Sequence, residues 1–145
     1  MKQRIVRIQR LVAVEAKRVA KAEQDLGGAR QKLSLCQAAL TSSEVALTDA
    51  YARWLDVVSV DELAQASAHR SALQARVAAQ SVAMANADAE VRVLERAVVA
   101  ARTAERRLEI LIEGFEAADA TRASKAERRL ADEHASRATG RARGT

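Results

Sequence analysis

The stretch Val58-Ser59-Val60-Asp61-Glu62-Leu63 marks the place where the chain is expected to reverse. Ser59 can cap a helix by accepting a hydrogen bond from the amide of Glu62, and the Glu62 carboxylate can accept one from the amide of Ser59. Val58 and Leu63 flank this capping box and can pack together as a hydrophobic staple. The stretch therefore predicts a tight turn followed by a new helix. The alternative is one unbroken helix that contains a cap-like sequence by chance.

An apolar seven-residue repeat fills the chain before this turn. One series is apolar throughout, and a companion series three residues later is mostly small. The two series are Ile5, Val12, Val19, Leu26, Leu33, Leu40, Leu47 and Trp54, and Ile8, Glu15, Ala22, Ala29, Cys36, Ser43 and Ala50. Such a stripe is typical of a helix packed closely on a partner helix, and the strict period predicts a left-handed supercoil. The repeat passes through Gly27-Gly28 in phase, so this pair predicts a weak point or bend and not a turn.

The same period resumes after the turn. Its series are Leu63, Arg70, Val77, Met84, Val91, Val98, Glu105 and Ile112, and Ala66, Leu73, Gln80, Ala87, Leu94, Ala101, Leu108 and Phe115. The predicted fold is all-α, a long antiparallel two-helix coiled-coil hairpin with a helical C-terminal overhang. Helix 1 is expected at about 3–57, the turn at about 58–59 and helix 2 at about 60–136. A single domain would then cover 1–138, followed by a flexible tail at 139–145.

The length of the two stripes supports the hairpin. Both helices rise by about 1.5 Å per residue, so a reversal near residue 58 places residue i opposite residue 117 minus i. Large apolar residues become rare after Phe115, which is where helix 1 has no more residues to pair with. A single continuous helix gives no reason for this coincidence.

The composition fits long helices better than a globular core. Aromatic residues make up 2% of the 145 residues, and there is no proline, whereas compact cores depend on aromatic area. With 30% charged residues, disorder is the alternative, and the ordered repeat argues against it. No apolar stretch resembles a signal peptide or approaches the ~20 residues that span a bilayer. We expect a cytoplasmic protein.

The sequence offers little for catalysis, metals or cofactors. Cys36 is the only cysteine and His69 and His134 are the only histidines, so neither a disulfide nor a metal cluster is expected. No phosphate-binding loop or nucleophile motif is present. A two-helix hairpin also lacks the concave site that shifts carboxyl pKa values. We therefore expect no enzymatic activity and no cofactor.

The basic residues are concentrated near the two termini. Residues 1–21 contain seven basic side chains and one acidic one, residues 122–145 contain seven and three, and the intervening segment contains ten and fifteen. A hairpin brings both termini to one end, so that end should attract an acidic protein surface or nucleic acid. Nucleic-acid binding is the weaker alternative, because neither terminus has stacking aromatics or a known reading motif. Ordinary solvated helix faces are the remaining interpretation.

Two of the three aromatic residues lie beside the predicted turn. Trp54 belongs to the apolar series and can close the seam between the helices, or it can contact a partner. Tyr51 lies just outside the seam and is a reasonable contact residue at the tip of a hairpin. His69 and Leu73 should lie near it on the returning helix.

The sequence resembles the type III export stalk family, which comprises the flagellar FliJ proteins and their injectisome counterparts of the YscO type. The resemblance rests on the chain length, the early turn and three stretches. These stretches are Arg4-Ile5-Val6-Arg7-Ile8-Gln9-Arg10-Leu11, Leu108-Glu109-Ile110-Leu111 and Glu127-Arg128-Arg129-Leu130-Ala131-Asp132-Glu133-His134-Ala135-Ser136-Arg137. The resemblance implies a fold similar to the central stalk of rotary ATPases. It leaves flagellar and injectisome roles both open.

The resemblance also implies partners and contact residues. The chain would insert into the hexameric export ATPase ring, stimulate ATP turnover, and contact the export gate membrane protein and the export chaperones. It would act at the cytoplasmic face of the inner membrane and touch the membrane only through partners. The residues implied for the ATPase are Arg4, Arg7, Arg10, Arg128 and Arg129; those implied for the gate and chaperones, at the hairpin tip, are Leu47, Tyr51, His69 and Leu73. The alternative function is a structural coiled coil that self-associates as a scaffold or adaptor.

Overall fold

The computed structural model describes residues 2–144 and contains two long helices. Helix α1 spans Lys2–Trp54 and helix α2 spans Val60–Arg143. The two helices pack against each other in antiparallel order, and no strand occurs in residues 2–144. The predicted all-α hairpin is confirmed.

Two compact units divide the hairpin, and each contains part of both helices. Unit 1 consists of Met1–Arg18 and Ala101–Thr145, and unit 2 consists of Val19–Ala100. The prediction of a single domain over 1–138 with a flexible tail stays a prediction.

The helix ends differ by a few residues from those expected. Helix α1 ends at Trp54, three residues earlier than predicted, and α2 continues to Arg143, seven residues beyond 136. The last turn of α1 tightens, because three amides bond to carbonyls three residues back, as helix ends commonly do. These bonds are Leu55 N to Ala52 O (3.4 Å), Asp56 N to Arg53 O (3.1 Å) and Val57 N to Trp54 O (3.3 Å). At the other end, Gly140 has no positive φ, so it does not terminate α2.

The predicted helix cap forms, but the predicted staple does not. The amide of Glu62 donates to Ser59 Oγ at 3.2 Å, as expected for an N-cap. The Glu62 carboxylate accepts from the amide of Val58 at 3.2 Å instead of from that of Ser59. Val58 is 92% exposed and Leu63 is 41% exposed. The hydrophobic-staple prediction was therefore wrong, because this turn directs the Val58 side chain into solvent.

Unit 2 contains the buried core, and the predicted seam builds it. Leu26, Ala29, Val91 and Val98 are buried together, with Ala22, Leu33 and Leu94 packed against them. All seven residues belong to the predicted apolar series and their companion series. Helix α1 continues through Gly27 and Gly28 without a positive φ. Among the predicted seam positions, Leu63 is exposed and the others are buried or half-buried.

The register in unit 2 differs from the predicted one by a heptad. The cross-helix contacts are Arg30 with Glu95 (3.2 Å), Lys32 with Glu90 (3.6 Å) and Tyr51 with Gln74 (2.6 Å). The numbers of these paired residues add up to between 122 and 125, not 117. The predicted pairing was wrong, because Trp54 at the end of α1 lies against Arg70, which is ten residues after the start of α2 at Val60. A shift of seven residues keeps the same seam residues facing each other.

Unit 1 contains the end of the seam and the helical overhang. The half-buried residues are Ile5, Ile8, Val12 and Glu15 in α1, and Ala101, Ala104, Glu105, Leu108, Glu109, Ile112, Phe115 and Asp119 in α2. Every residue from 120 to 144 is exposed, and α2 remains helical to Arg143. The predicted overhang therefore begins at residue 120.

Candidate functional site

The positive charge of the chain lies in unit 1. Unit 1 has sixteen basic and nine acidic residues, for a formal charge of +7, whereas unit 2 has eight basic and ten acidic residues, for −2. The net charge of +5 therefore conceals a strongly basic unit and a slightly acidic one. Unit 1 is the part of the chain suited to an acidic partner.

We use the name basic surface for the predicted ATPase-contact set, five arginines that all belong to unit 1: Arg4, Arg7, Arg10, Arg128 and Arg129. All five are exposed, and none forms an ion pair within residues 2–144. The three arginines of α1 are spaced three residues apart, so they follow each other within about 9 Å along the helix. The other two lie on the overhang, where α2 has no helix packed beside it.

Two other arginines of unit 1, Arg106 and Arg18, are paired with carboxylates of the same helix. Arg106 donates to Glu109 at 3.1 Å and to Glu113 at 3.2 Å. The hydrogen bond to Glu109 and the negative charge of Glu113 raise the pKa of Arg106. Arg18 pairs with Glu15 at 3.0 Å. The exposed guanidinium groups of the basic surface have the geometry to bind a carboxylate in a bidentate manner.

The second surface is the tip, residues 47–74 of unit 2. Its centre is the guanidinium of Arg70, which lies over the Trp54 ring at 3.9 Å and over the Tyr51 ring at 5.2 Å. Gln74 donates to Tyr51 Oη at 2.6 Å. A cation stacked on aromatic rings replaces the apolar contact that the heptad would otherwise make here. Trp54 is half-buried and closes the seam with Arg70, a role that the sequence pattern had left open.

The four predicted tip residues differ in accessibility. Tyr51 is 45% exposed and His69 is exposed, whereas Leu73 is only 7% exposed and Leu47 is half-buried. His69 lines a groove of about 350 Å³ together with Ala46, Asp49, Ala50, Arg53, Val57 and Ala66. The leucines therefore pack between the helices, and Tyr51 and His69 present their side chains to solvent. Their assignment as partner contacts stays a prediction.

The sequence reasoning missed three residues of the tip. Leu55, Val58 and Val60 are 86%, 92% and 81% exposed. They lie outside both apolar series, between the end of the first repeat at Trp54 and its resumption at Leu63. Aliphatic residues in a turn, out of phase with the repeat, were the available signal.

Neither surface has the features of a metal site or a membrane span. Within residues 2–144, no three His, Cys, Asp or Glu side chains are grouped so that they could hold a metal ion. Neither helix, over the same residues, has a segment both long and apolar enough to cross a bilayer.

A helical hairpin with a helical overhang places the chain among the coiled-coil proteins. A family model described as flagellar FliJ protein matches residues 3–144. The chain belongs to this family, and the resemblance drawn from the sequence is confirmed. The family is a non-enzymatic component of the flagellar export apparatus. No curated protein and no solved structure matches the chain.

Proposed function

We propose that the chain is the central stalk of the flagellar export ATPase, inserting into the hexameric ring and stimulating ATP turnover. The observation that carries this proposal is the set of five exposed arginines without ion pairs in a unit of charge +7. Unpaired guanidinium groups on a surface increase the rate of encounter with an acidic partner.

The overhang supports insertion into a ring. Residues 120–143 form a single exposed helix, about 36 Å long at 1.5 Å per residue and about 10 Å wide. A lone helix of this width fits a narrow central opening. Its exposed faces carry Arg128 and Arg129, which can contact acidic side chains lining such an opening.

The tip is proposed to contact the export gate membrane protein and the export chaperones. Tyr51 and His69 are the exposed members of the predicted set, and Leu47 and Leu73 support them from the seam. The site of action is then the cytoplasmic face of the inner membrane, where the chain touches the membrane only through its partners.

The test of the stalk function is stimulation of purified export ATPase. We expect Arg4→Glu/Arg7→Glu/Arg10→Glu and Arg128→Glu/Arg129→Glu to reduce stimulation at least tenfold. Stimulation by the wild type should also fall as salt rises, because exposed charges are screened within about 10 Å at 0.1 M.

The matched control is Arg76→Glu/Arg96→Glu, which makes the same charge change as the double variant on exposed positions of unit 2. It should stimulate the ATPase as the wild type does. Full stimulation by both unit 1 variants would contradict the proposal. A stable tetramer in light scattering, with no effect on the ATPase, would favour the scaffold alternative.

A further inference from the structure

The hairpin loop presents three large aliphatic side chains almost entirely to solvent. Leu55, Val58 and Val60 lie within six residues and are between 81% and 92% exposed. Single exposed aliphatic residues are normal on protein surfaces, but a contiguous exposed group usually marks an interaction site. Leu63, at 41% exposure, continues the same surface into α2.

Local hydrogen bonds hold the loop in this conformation. The Glu62 carboxylate accepts from the amide of Val58, and Ser59 Oγ accepts from the amide of Glu62, both at 3.2 Å. The amide of Leu63 also donates to the carbonyl of Ser59 at 3.0 Å. The aliphatic residues are therefore presented by a capped turn, and little conformational entropy remains to be lost on binding.

The seam beneath the loop is already filled. The guanidinium of Arg70 covers the Trp54 ring at 3.9 Å, and the neighbouring groove is lined by Val57 and by none of the three loop aliphatics. Leu63 was the predicted staple partner of Val58, but Val58 is 92% exposed. Leu55, Val58 and Val60 are thus not buried against unit 2.

The charges around the loop indicate what kind of surface can cover it. Asp56, Asp61 and Glu62 lie in the loop and the first turn of α2, and Arg53 is the only basic residue from 53 to 63. An anionic lipid surface would repel this arrangement. Its complement is an apolar protein pocket with basic side chains at the rim, as in interfaces with a dry centre and a polar edge.

We propose that Leu55, Val58 and Val60 insert into an apolar, basic-rimmed pocket on the soluble part of a partner protein. This inference rests on the proposed function, under which the export gate protein is the partner of the tip. It adds the loop aliphatics to Tyr51 and His69, the exposed tip residues already proposed as contacts.

The experiment compares two triple variants of the full chain for binding to the purified soluble domain of the export gate protein. The test variant is Leu55→Ala/Val58→Ala/Val60→Ala. The matched control is Leu35→Ala/Val82→Ala/Val93→Ala, which truncates aliphatic residues of unit 2 that are 65%, 61% and 56% exposed on the helices. We expect the loop variant to lose at least thirtyfold in affinity and the control to change less than twofold. Both should retain the wild-type circular dichroism.

Asp56→Lys tests the rim separately, because it leaves the aliphatic residues in place. It should weaken binding about tenfold at low salt and less at high salt, since rim charges act mainly through screened long-range attraction. Wild-type affinity in the loop variant would overturn the inference, as would absence of binding by the wild-type chain.

Two further measurements separate other occupants of the loop. Loop-dependent binding to vesicles of phosphatidylcholine and phosphatidylglycerol would identify a lipid surface and overturn the inference. Loop-dependent dimerisation in light scattering would identify a second copy and also overturn it. Stimulation of the ATPase should remain within twofold of the wild type in the loop variant. If the wild type fails to stimulate, the stalk function fails even where loop-dependent gate binding is observed.

Discussion

Replacing Gly27 and Gly28 by alanine should stabilise the hairpin. Both glycines lie inside α1 with no positive φ, and both are exposed between the buried residues Leu26 and Ala29. A Cβ built on either glycine meets no atom within 4 Å. Alanine can therefore occupy both positions without strain.

The expected gain follows from helix propensity. Glycine in an exposed helix interior is about 0.8–1.0 kcal/mol less favourable than alanine, because the unfolded chain loses more freedom at glycine on folding. The two side chains point to different sides of the helix, so the effects should add to roughly 1.5–2 kcal/mol. For a chain of this size, that corresponds to an increase in Tm of about 6 °C.

Urea unfolding followed by circular dichroism measures this gain, and hydrogen exchange of the amides in unit 2 locates it. The control is Gly140→Ala, which also has open space but lies in the last turn of α2, where helices fray and alanine should add a few tenths of a kcal/mol at most. No gain in the double variant, or a loss, would mean that α1 is not helical at this pair in solution. The continuous helix through residues 27–28 would then be refuted.

Three smaller predictions test the seam and the tip. Arg70→Ala should lower the free energy of unfolding by about 1 kcal/mol, because it removes the cation over a half-buried ring. The fluorescence emission of Trp54, the only tryptophan, should change as well. Unchanged emission would count against the contact between Arg70 and the Trp54 ring. Gln80→Leu should raise the free energy of unfolding, measured in urea, by about 1 kcal/mol, because the Gln80 side-chain oxygen is buried without a hydrogen-bond partner. Destabilisation would show that this oxygen accepts a hydrogen bond in solution. Val98 is 5% exposed and Val99 is 64% exposed. Val98→Ala should therefore lower the free energy of unfolding by roughly 2 kcal/mol, whereas Val99→Ala should change it by no more than about 0.5 kcal/mol. Equal effects would contradict the assignment of Val98 to the buried face of α2.

The sequence was sufficient for the fold because the seam is periodic over most of the chain. A strict seven-residue repeat gives each helix one apolar stripe, which is buried when the two helices pack along their stripes. Ser59 and Glu62 mark the reversal through local hydrogen bonds alone. The sequence also showed where the overhang begins. Large apolar residues become rare after Phe115, and the last half-buried residue in the structure is Asp119.

The surfaces were less predictable because they depend on tertiary detail. Ion pairing of an arginine depends on which rotamers reach a carboxylate, so the sequence did not separate Arg106, which is paired, from Arg4, which is not. The direction of the Val58 side chain depends on the loop conformation that joins the helices. Turn chemistry predicted the cap but not the exposure of its neighbours.

The register of the two helices is the feature that the seven-residue repeat does not predict. The charged residue Arg70, which interrupts the apolar series, gives information about it. Slipping the helices by one heptad keeps every seam position facing another seam position, so the apolar pattern favours no register. The predicted register, in which paired numbers add up to 117, places Arg70 opposite Leu47 and buries a guanidinium against an aliphatic chain, which is costly without a partner. In the observed register, the numbers of Trp54 and Arg70 add up to 124. Arg70 lies over the Trp54 ring at 3.9 Å, where the ring stabilises the charge. Arg70, a charged residue within an apolar series, therefore favours the observed alignment over the predicted one.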